Sequence, residues 1–180
     1  HSFSLALSTA LLAVSAGLLI GYATRLSPTP ILRLASKVAV LGYSIPGAVI
    51  AVGVFIPLVW ADRLLNTLMT TAFNTPTGLL LSGTLVALIF AYMVRFLAVA
   101  LNPLESGFKH LCGNLDETSR SLGVPPLKTL WKVDLPLLKG TLVSAALLVF
   151  VDVLKELPLT LMLRPFNFDT LATRAFQLAA

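Results

Sequence analysis

Charge is scarce in this sequence: Asp, Glu, Lys and Arg supply 12% of its 180 residues, against about 25% in a soluble domain. So few charges cannot cover a water-facing surface. Cysteine is scarcer still. Cys112 stands alone, which excludes an intrachain disulfide and a thiolate metal cluster and gives no sign of redox chemistry. The histidines are His1 and His110, and Tyr22, Tyr43 and Tyr92 fall in separate apolar segments, so no metal site and no cage for a hard cation can be read. A Gly-rich phosphate loop is missing, as is any grouping of nucleophile, base and oxyanion donors. The chain is expected not to be an enzyme and to bind no cofactor. No internal repeat, low-complexity segment or long linker divides it, and 1–180 reads as one domain.

What is present is apolar. Hydrophobic residues make up 57% and the mean hydropathy is +0.90. Uncharged runs cover Ser2 to Thr24, Val38 to Ala61 and Leu64 to Val94, each reaching the roughly 20 residues that cross a bilayer as helix. A fourth apolar segment, Gly140 to Leu163, is interrupted by Asp152, Lys155 and Glu156. Spanning β-barrels need alternating segments of about ten residues, and these runs are apolar all round. The fold class expected is therefore all-α, a polytopic transmembrane helical bundle. The first run has no basic leader and is too long for a signal peptide's apolar core, so it reads as a span. A start at His1 rather than methionine points to a fragment.

The expected spans are 3–24, 38–61, 78–100 and 138–158. Alternating direction puts Arg25, Arg33, Lys37, Lys109, Arg120, Lys128, Lys132 and Lys139 on one side, and Arg63, Lys155, Arg164 and Arg174 on the other. The richer side is expected to face the cytoplasm, with Arg95 extending its head group to that interface. This sidedness also accounts for the net charge of +5 without nucleic acid as a partner.

Small residues four apart, Ala13, Gly17 and Gly21 in the first span and Gly83, Ala87 and Ala91 in the third, permit close helix packing. In the second, Ser44-Ile45-Pro46-Gly47 removes a backbone donor and predicts a kink or broken turn. That break is either a tolerated irregularity or a hinge lining a pathway. Asp152, Lys155 and Glu156 share a face by their i, i+3 and i+4 spacing, and about 20 Å of helix separates them from Lys139. They read as an outer-interface salt-bridge group, or as a gate or substrate contact.

Between the third and fourth spans, the loop 114–136 predicts a short helix, a stop and a second short helix. Asn114 or Asp116 is placed to cap the first, with Asp116 and Glu117 at its positive end. Gly123 is placed as its C-terminal cap, and Pro125 and Pro126 prevent continuation. In the second helix, which Pro136 is expected to close, Leu127, Leu130, Trp131 and Asp134 share a side framed by Lys128 and Lys132.

This loop resembles the "EAA" signature of binding-protein-dependent ABC import permeases: Glu-Ala-Ala, three residues, Gly, nine residues, Ile, one residue, Leu-Pro. Glu117, Gly123, Leu135 and Pro136 match it identically in spacing, Thr118 and Ser119 replace the alanines, and Val133 replaces Ile. At ordinary residue frequencies such a match arises by chance about once in several hundred chains of this length. The resemblance implies a cytoplasmic helix-turn-helix coupling loop in which Glu117, Thr118, Ser119, Gly123, Leu127, Trp131, Val133, Leu135 and Pro136 meet an ATPase dimer that holds the ATP and Mg²⁺. The implied partners also include a second permease half, fused or separate, a periplasmic substrate-binding protein and the bilayer of a bacterial inner membrane.

The strings Gly42-Tyr43-Ser44-Ile45-Pro46-Gly47 and Lys155-Glu156-Leu157-Pro158 through Arg174 are similar to those of ferric-iron import permeases. They imply ferric iron as cargo, arriving on a separate binding protein; Pro46, Gly47, Asp152, Lys155 and Glu156 are the candidate gate or pathway residues by the break and spacing above, and no resident metal is expected. Another small solute, such as a polyamine, thiamine or an oxyanion, shares the same loop, and an ion-coupled secondary transporter is the rival that leaves the Gly123 turn unexplained. In that family a further span follows, so 164–180 is expected to be an outer amphipathic segment before a missing final span, with a missing N-terminal half.

Overall fold

The computed structural model describes residues 2–27, 29–73, 78, 80–111 and 114–179, and among them all regular structure is helical. Helix α1 (Ser2–Leu26) carries no charge before Arg25 and is 25 residues long, about 38 Å at 1.5 Å per residue. Helix α2 (Pro30–Ser44) starts where the Thr29 side chain accepts the Leu32 N–H at 3.4 Å, with Pro30 at its first position, where a missing donor costs nothing. It stops at Ile45, which is extended, and α3 (Gly47–Phe73) begins beyond Pro46. Helix α4 (Leu85–His110) follows a turn that contains Gly83.

The expected span 38–61 is thus parts of two helices. The apolar run continues through Ile45-Pro46, but the backbone does not, because Pro46 has no N–H to give the α2 ladder. The expected span 78–100 is shifted: helix begins only at Leu85 and continues to His110, carrying Pro103 inside it. Gly83 therefore contributes nothing to a packing stripe, while Ala87 and Ala91 are fully buried. In α1 the stripe holds: a β-carbon on Gly17 would lie 3.2 Å from Leu104 Cδ1, and one on Gly21 3.1 Å from Phe108 Cε2.

Beyond α4 come α5 (Asn114–Ser121), α6 (Pro126–Thr129), a π-helical turn (Leu130–Asp134) and α7 (Leu135–Leu137). The chain then bends by 78° into α8 (Lys139–Lys155). Helix α9 (Pro158–Leu163) and α10 (Leu171–Ala179) complete the order. The segment 164–170 is not helical; an Arg164–Asp169 ion pair ties it, and Thr170 and Thr173 exchange N–H to Oγ1 bonds at 2.8 and 3.3 Å to start α10.

Helix α4 is central, with α1, α2, α3 and α8 packed on it and α9 against α3. Leu88, Ala91, Tyr92 and Phe96 of α4 meet Leu5, Ala6 and Ala10 of α1 and Val149 of α8 in one apolar core. Large apolar side chains also point outward, among them Leu11, Leu19, Trp60 and Leu147, as helices bathed in hydrocarbon require. Three helices, Ser2–Leu26, Gly47–Thr71 and Leu85–His110, are long and apolar enough to cross a membrane, and the bent pair ending in α8 makes a fourth if taken as one span.

At the Leu85 end of α4, buried Asp62 closes the turn from α3. Its carboxylate accepts the N–H groups of Leu80, Leu81 and Ser82 at 3.1, 2.8 and 2.7 Å and the Ser82 hydroxyl at 2.6 Å. Four donors on one anion offset its desolvation.

Candidate functional site

The loop from α5 to α7 is a turn built for an exact angle. Ser119 and Arg120 carbonyls accept the Val124 and Gly123 N–H groups, both at 2.9 Å. This crossed pair is the Schellman closure of α5. It places Gly123 at φ +71°, a conformation that costs other L-residues about 1–2 kcal/mol. Pro125 is extended and Pro126 starts α6, so the two short helices meet in an elbow with little freedom.

Its top and bottom differ. Leu122, Leu127 and Trp131 are 76%, 66% and 70% exposed. Glu117, Thr118, Gly123 and Pro136 are also exposed, and Ser119, Val133 and Leu135 are half-buried. Glu117 forms no ion pair among the described residues. Leu130 and Asp134, by contrast, are buried, so the expected common side of Leu127, Leu130, Trp131 and Asp134 divides into an outward and an inward pair. The π-helical turn accounts for this: Leu135 donates to the Leu130 carbonyl, five residues back, and the wider turn rotates side chains away from 3.6-residue positions. Pro136 falls in α7, so the helical segment runs on through Leu137 rather than closing at Pro136.

The inward side is fastened to α1 and α4. Tyr22 donates its hydroxyl to the Pro126 carbonyl at 2.6 Å, and Arg25 Nε lies 2.6 Å from Asp116 Oδ2. Arg25 Nη1 donates to the Phe108 carbonyl at 2.7 Å, with its guanidinium carbon 5.9 Å from the Phe108 ring centre. Asp116 is therefore half of an ion pair across the fold rather than a cap. Beneath, Tyr22, Phe108, Leu130 and Leu138 form a second apolar cluster. Asp134 is fully buried, and neither of its carboxylate oxygens has a donor among the described residues. Burial, then the nearby Asp116 charge, push its pKa up, and Arg25 opposes them.

The other candidates gather at two chain breaks. Glu156 leaves the end of α8 in an extended conformation, so it does not share a helical face with Asp152 and Lys155. Those two pair with each other at 2.7 Å, while Glu156 turns to Arg95, with 3.3 Å between Oε2 and Nε. Arg95 Nη1 donates at 2.7 Å to the carbonyl of Ile45 in the break before Pro46. Arg95 thus turns its head group to two neighbours within the bundle, the Ile45 carbonyl and the Glu156 carboxylate. A β-carbon on buried Gly47 would overlap Glu156 Oε1 and stand 3.3 Å from Arg95 Nη1. Pro46 itself is exposed. Pro46, Gly47 and Glu156 are brought together, and Asp152 with Lys155 stands one turn away.

Sequence spacing alone misses Tyr22, Arg25, Asp134 and Arg95. The visible signal for Arg25 and Arg95 is a cation closing or interrupting a long apolar stretch; their partners lie far along the chain.

Residues 13–177 match the family described as "Binding-protein-dependent transport system inner membrane component". The chain is 36% identical over 80 residues to the ferric transport system permease protein FbpB of Actinobacillus pleuropneumoniae, covering 44% of this chain and 12% of that protein. It is 25% identical over 153 residues to the Fe(3+)-transport system permease protein FbpB 2 of Haemophilus influenzae, covering 73% of this chain and 30% of that one. The chain thus spans less than a third of the length of these curated relatives. A family match over almost its whole length, on a bundle of membrane-length helices carrying an elbow closed by Gly123, makes this chain a member of the binding-protein-dependent transport system inner membrane components, the permeases of ABC importers.

Proposed function

We propose that this permease works in an ATP-driven importer of the bacterial inner membrane, moving ferric iron delivered by a periplasmic binding protein, and that the α5–α7 elbow is where a cytoplasmic ATPase dimer pushes. The observation that carries this reading is the two-sided elbow. Leu122, Leu127 and Trp131 are presented outward beside Lys128 and Lys132, while Tyr22 and Arg25 hold the same loop to the bundle. An apolar knob in a basic frame suits a groove on a partner, and a fastened base transmits displacement to α1 and α4. ATP and Mg²⁺ belong to the partner in this reading. The ATPase's closure rocks the spans between inward-open and outward-open states, with Pro46, Gly47, Asp152, Lys155 and Glu156 along the pathway. Ferric iron as cargo is supported by the names of the two relatives.

The test is reconstitution of the full permease with its ATPase and binding protein in proteoliposomes. Ferric uptake should require ATP and binding protein, and Trp131→Ala should cut binding-protein-stimulated ATP hydrolysis while leaving the protein in the membrane. Uptake driven by an imposed ion gradient without ATP would overturn the energy source. ATP-driven uptake of a polyamine, thiamine or an oxyanion, with none of iron, would overturn the cargo alone.

A further inference from the structure

The two proline breaks face one arginine. At the first, Val49 and Ile50 both donate to the Pro46 carbonyl, at 3.0 and 3.2 Å. The Ile45 carbonyl is thereby left outside the helical ladder, and an orphaned carbonyl in a bundle needs another donor. Arg95 Nη1 supplies it at 2.7 Å. At the second break, Glu156 is buried, and its Oε1 accepts the Leu159 N–H at 3.5 Å at the start of α9. The Glu156 backbone carbonyl accepts the Thr160 hydroxyl at 2.6 Å. Arg95 therefore ties the start of α3 to the start of α9 from the middle of α4.

The two bonds of Arg95 are unequal. That to Ile45 is a short hydrogen bond, whereas Arg95 Nε approaches Glu156 Oε2 at 3.3 Å without hydrogen-bond alignment. Charge attraction alone holds that side, and such pairs in low dielectric roughly balance attraction against desolvation. It is the weaker joint. A charge inside a span is expensive unless it is paired or faces a pathway, and broken helices in transporters gather around the transported solute's path.

We propose that Arg95 is a positioning residue of the transport cycle: anchored on the Ile45 carbonyl, it latches the α2–α3 break to the α8–α9 break through Glu156, and this latch parts when the pathway opens. The proposal rests on the permease reading above. Gly47 is the residue that lets the latch close, since any side chain there meets Glu156.

The test uses the complete permease with its ATPase and binding protein in proteoliposomes, carrying Arg95→Gln, Glu156→Gln or both. The readout is ATP hydrolysis in the absence of binding protein, which does not depend on the cargo. Each single variant should raise this hydrolysis several-fold, and the double variant should raise it no further, because one latch is broken in all three. Val149→Ala, which loosens the core without touching the latch, should leave it low. Effects that multiply in the double variant, hydrolysis that stays dependent on binding protein, or an equal rise in Val149→Ala would each overturn the latch. If Arg95→Gln fails to assemble, assembly restored in the double variant supports the pair, and failure of both with normal coupling in Glu156→Gln refutes it. Should the parent complex show no stimulation by binding protein, the permease reading itself fails instead.

Discussion

Gly123 offers the sharpest test of the elbow. A β-carbon built there meets nothing among the described residues within 4 Å, so the backbone at φ +71° rather than size resists substitution. That resistance is about 1–2 kcal/mol for ordinary residues and less for Asn, whose short polar side chain tolerates the left-handed region. With tenfold per 1.4 kcal/mol, the closed elbow should lose a factor of about 5 to 30 against its frayed form in Gly123→Ala and Gly123→Val, with Val at the upper end. Gly123→Asn should lose least. Hydrogen exchange at the Gly123 or substituted amide and at Val124, whose N–H groups make the closure, reads the opening directly. The ATPase concentration giving half-maximal hydrolysis should rise in the same order. An order following side-chain volume, or three variants exchanging like the parent, would refute the conformational argument.

Gly42→Ala should separate α2 from α4, since its β-carbon would overlap the Val94 carbonyl; we expect a loss of about 1–3 kcal/mol, seen as a lowered melting temperature in detergent. Asp62→Asn keeps the shape of the α3–α4 turn but loses charge-assisted bonds to Leu80, Leu81 and Ser82, at about 1.5–3 kcal/mol for a bond to a charged group; limited proteolysis near Ser82 should accelerate. Asp134 has a raised pKa in the fold, so the folded state holds its proton over a pH range where the unfolded chain has released it. Its stabilising share is complete below the ordinary carboxylate pKa and declines as pH rises through the raised one. Asp134→Asn should accordingly raise thermal stability at neutral pH and flatten that decline, measured by melting across pH 4 to 8.

Much of the bundle could be read from residue order. The first helix ends where Arg25 ends the uncharged run, and Gly123 caps α5 as its position before two prolines implies. Proline misleads elsewhere. At Pro46 it breaks a helix inside an unbroken apolar run, yet Pro57 and Pro103 sit inside α3 and α4 and Pro136 inside α7. The fold compensates differently in each place: Arg95 serves the Ile45 carbonyl at the broken turn, and a π-helical turn precedes Pro136. Those remedies are tertiary or need a register change, so local spacing does not display them. The same holds for Glu156, whose i+4 relation to Asp152 loses meaning once the helix stops at Lys155.

The contacts also differ in when they can form during synthesis. Asp62 and Ser82 are 20 residues apart, so the α3–α4 hairpin can close on itself as it leaves the ribosome. Arg25 must wait for Asp116, 91 residues later, and Arg95 enters the bilayer well before Glu156 exists. Until then an uncompensated arginine resists full burial, so α4 is expected to settle to its final depth only when α8 arrives. Nascent chains stopped just short of residue 156 should leave Arg95 nearer the membrane surface than finished ones, a shift that glycosylation mapping of the α3–α4 turn can measure. On this account the later-made Glu156 admits the earlier-made Arg95.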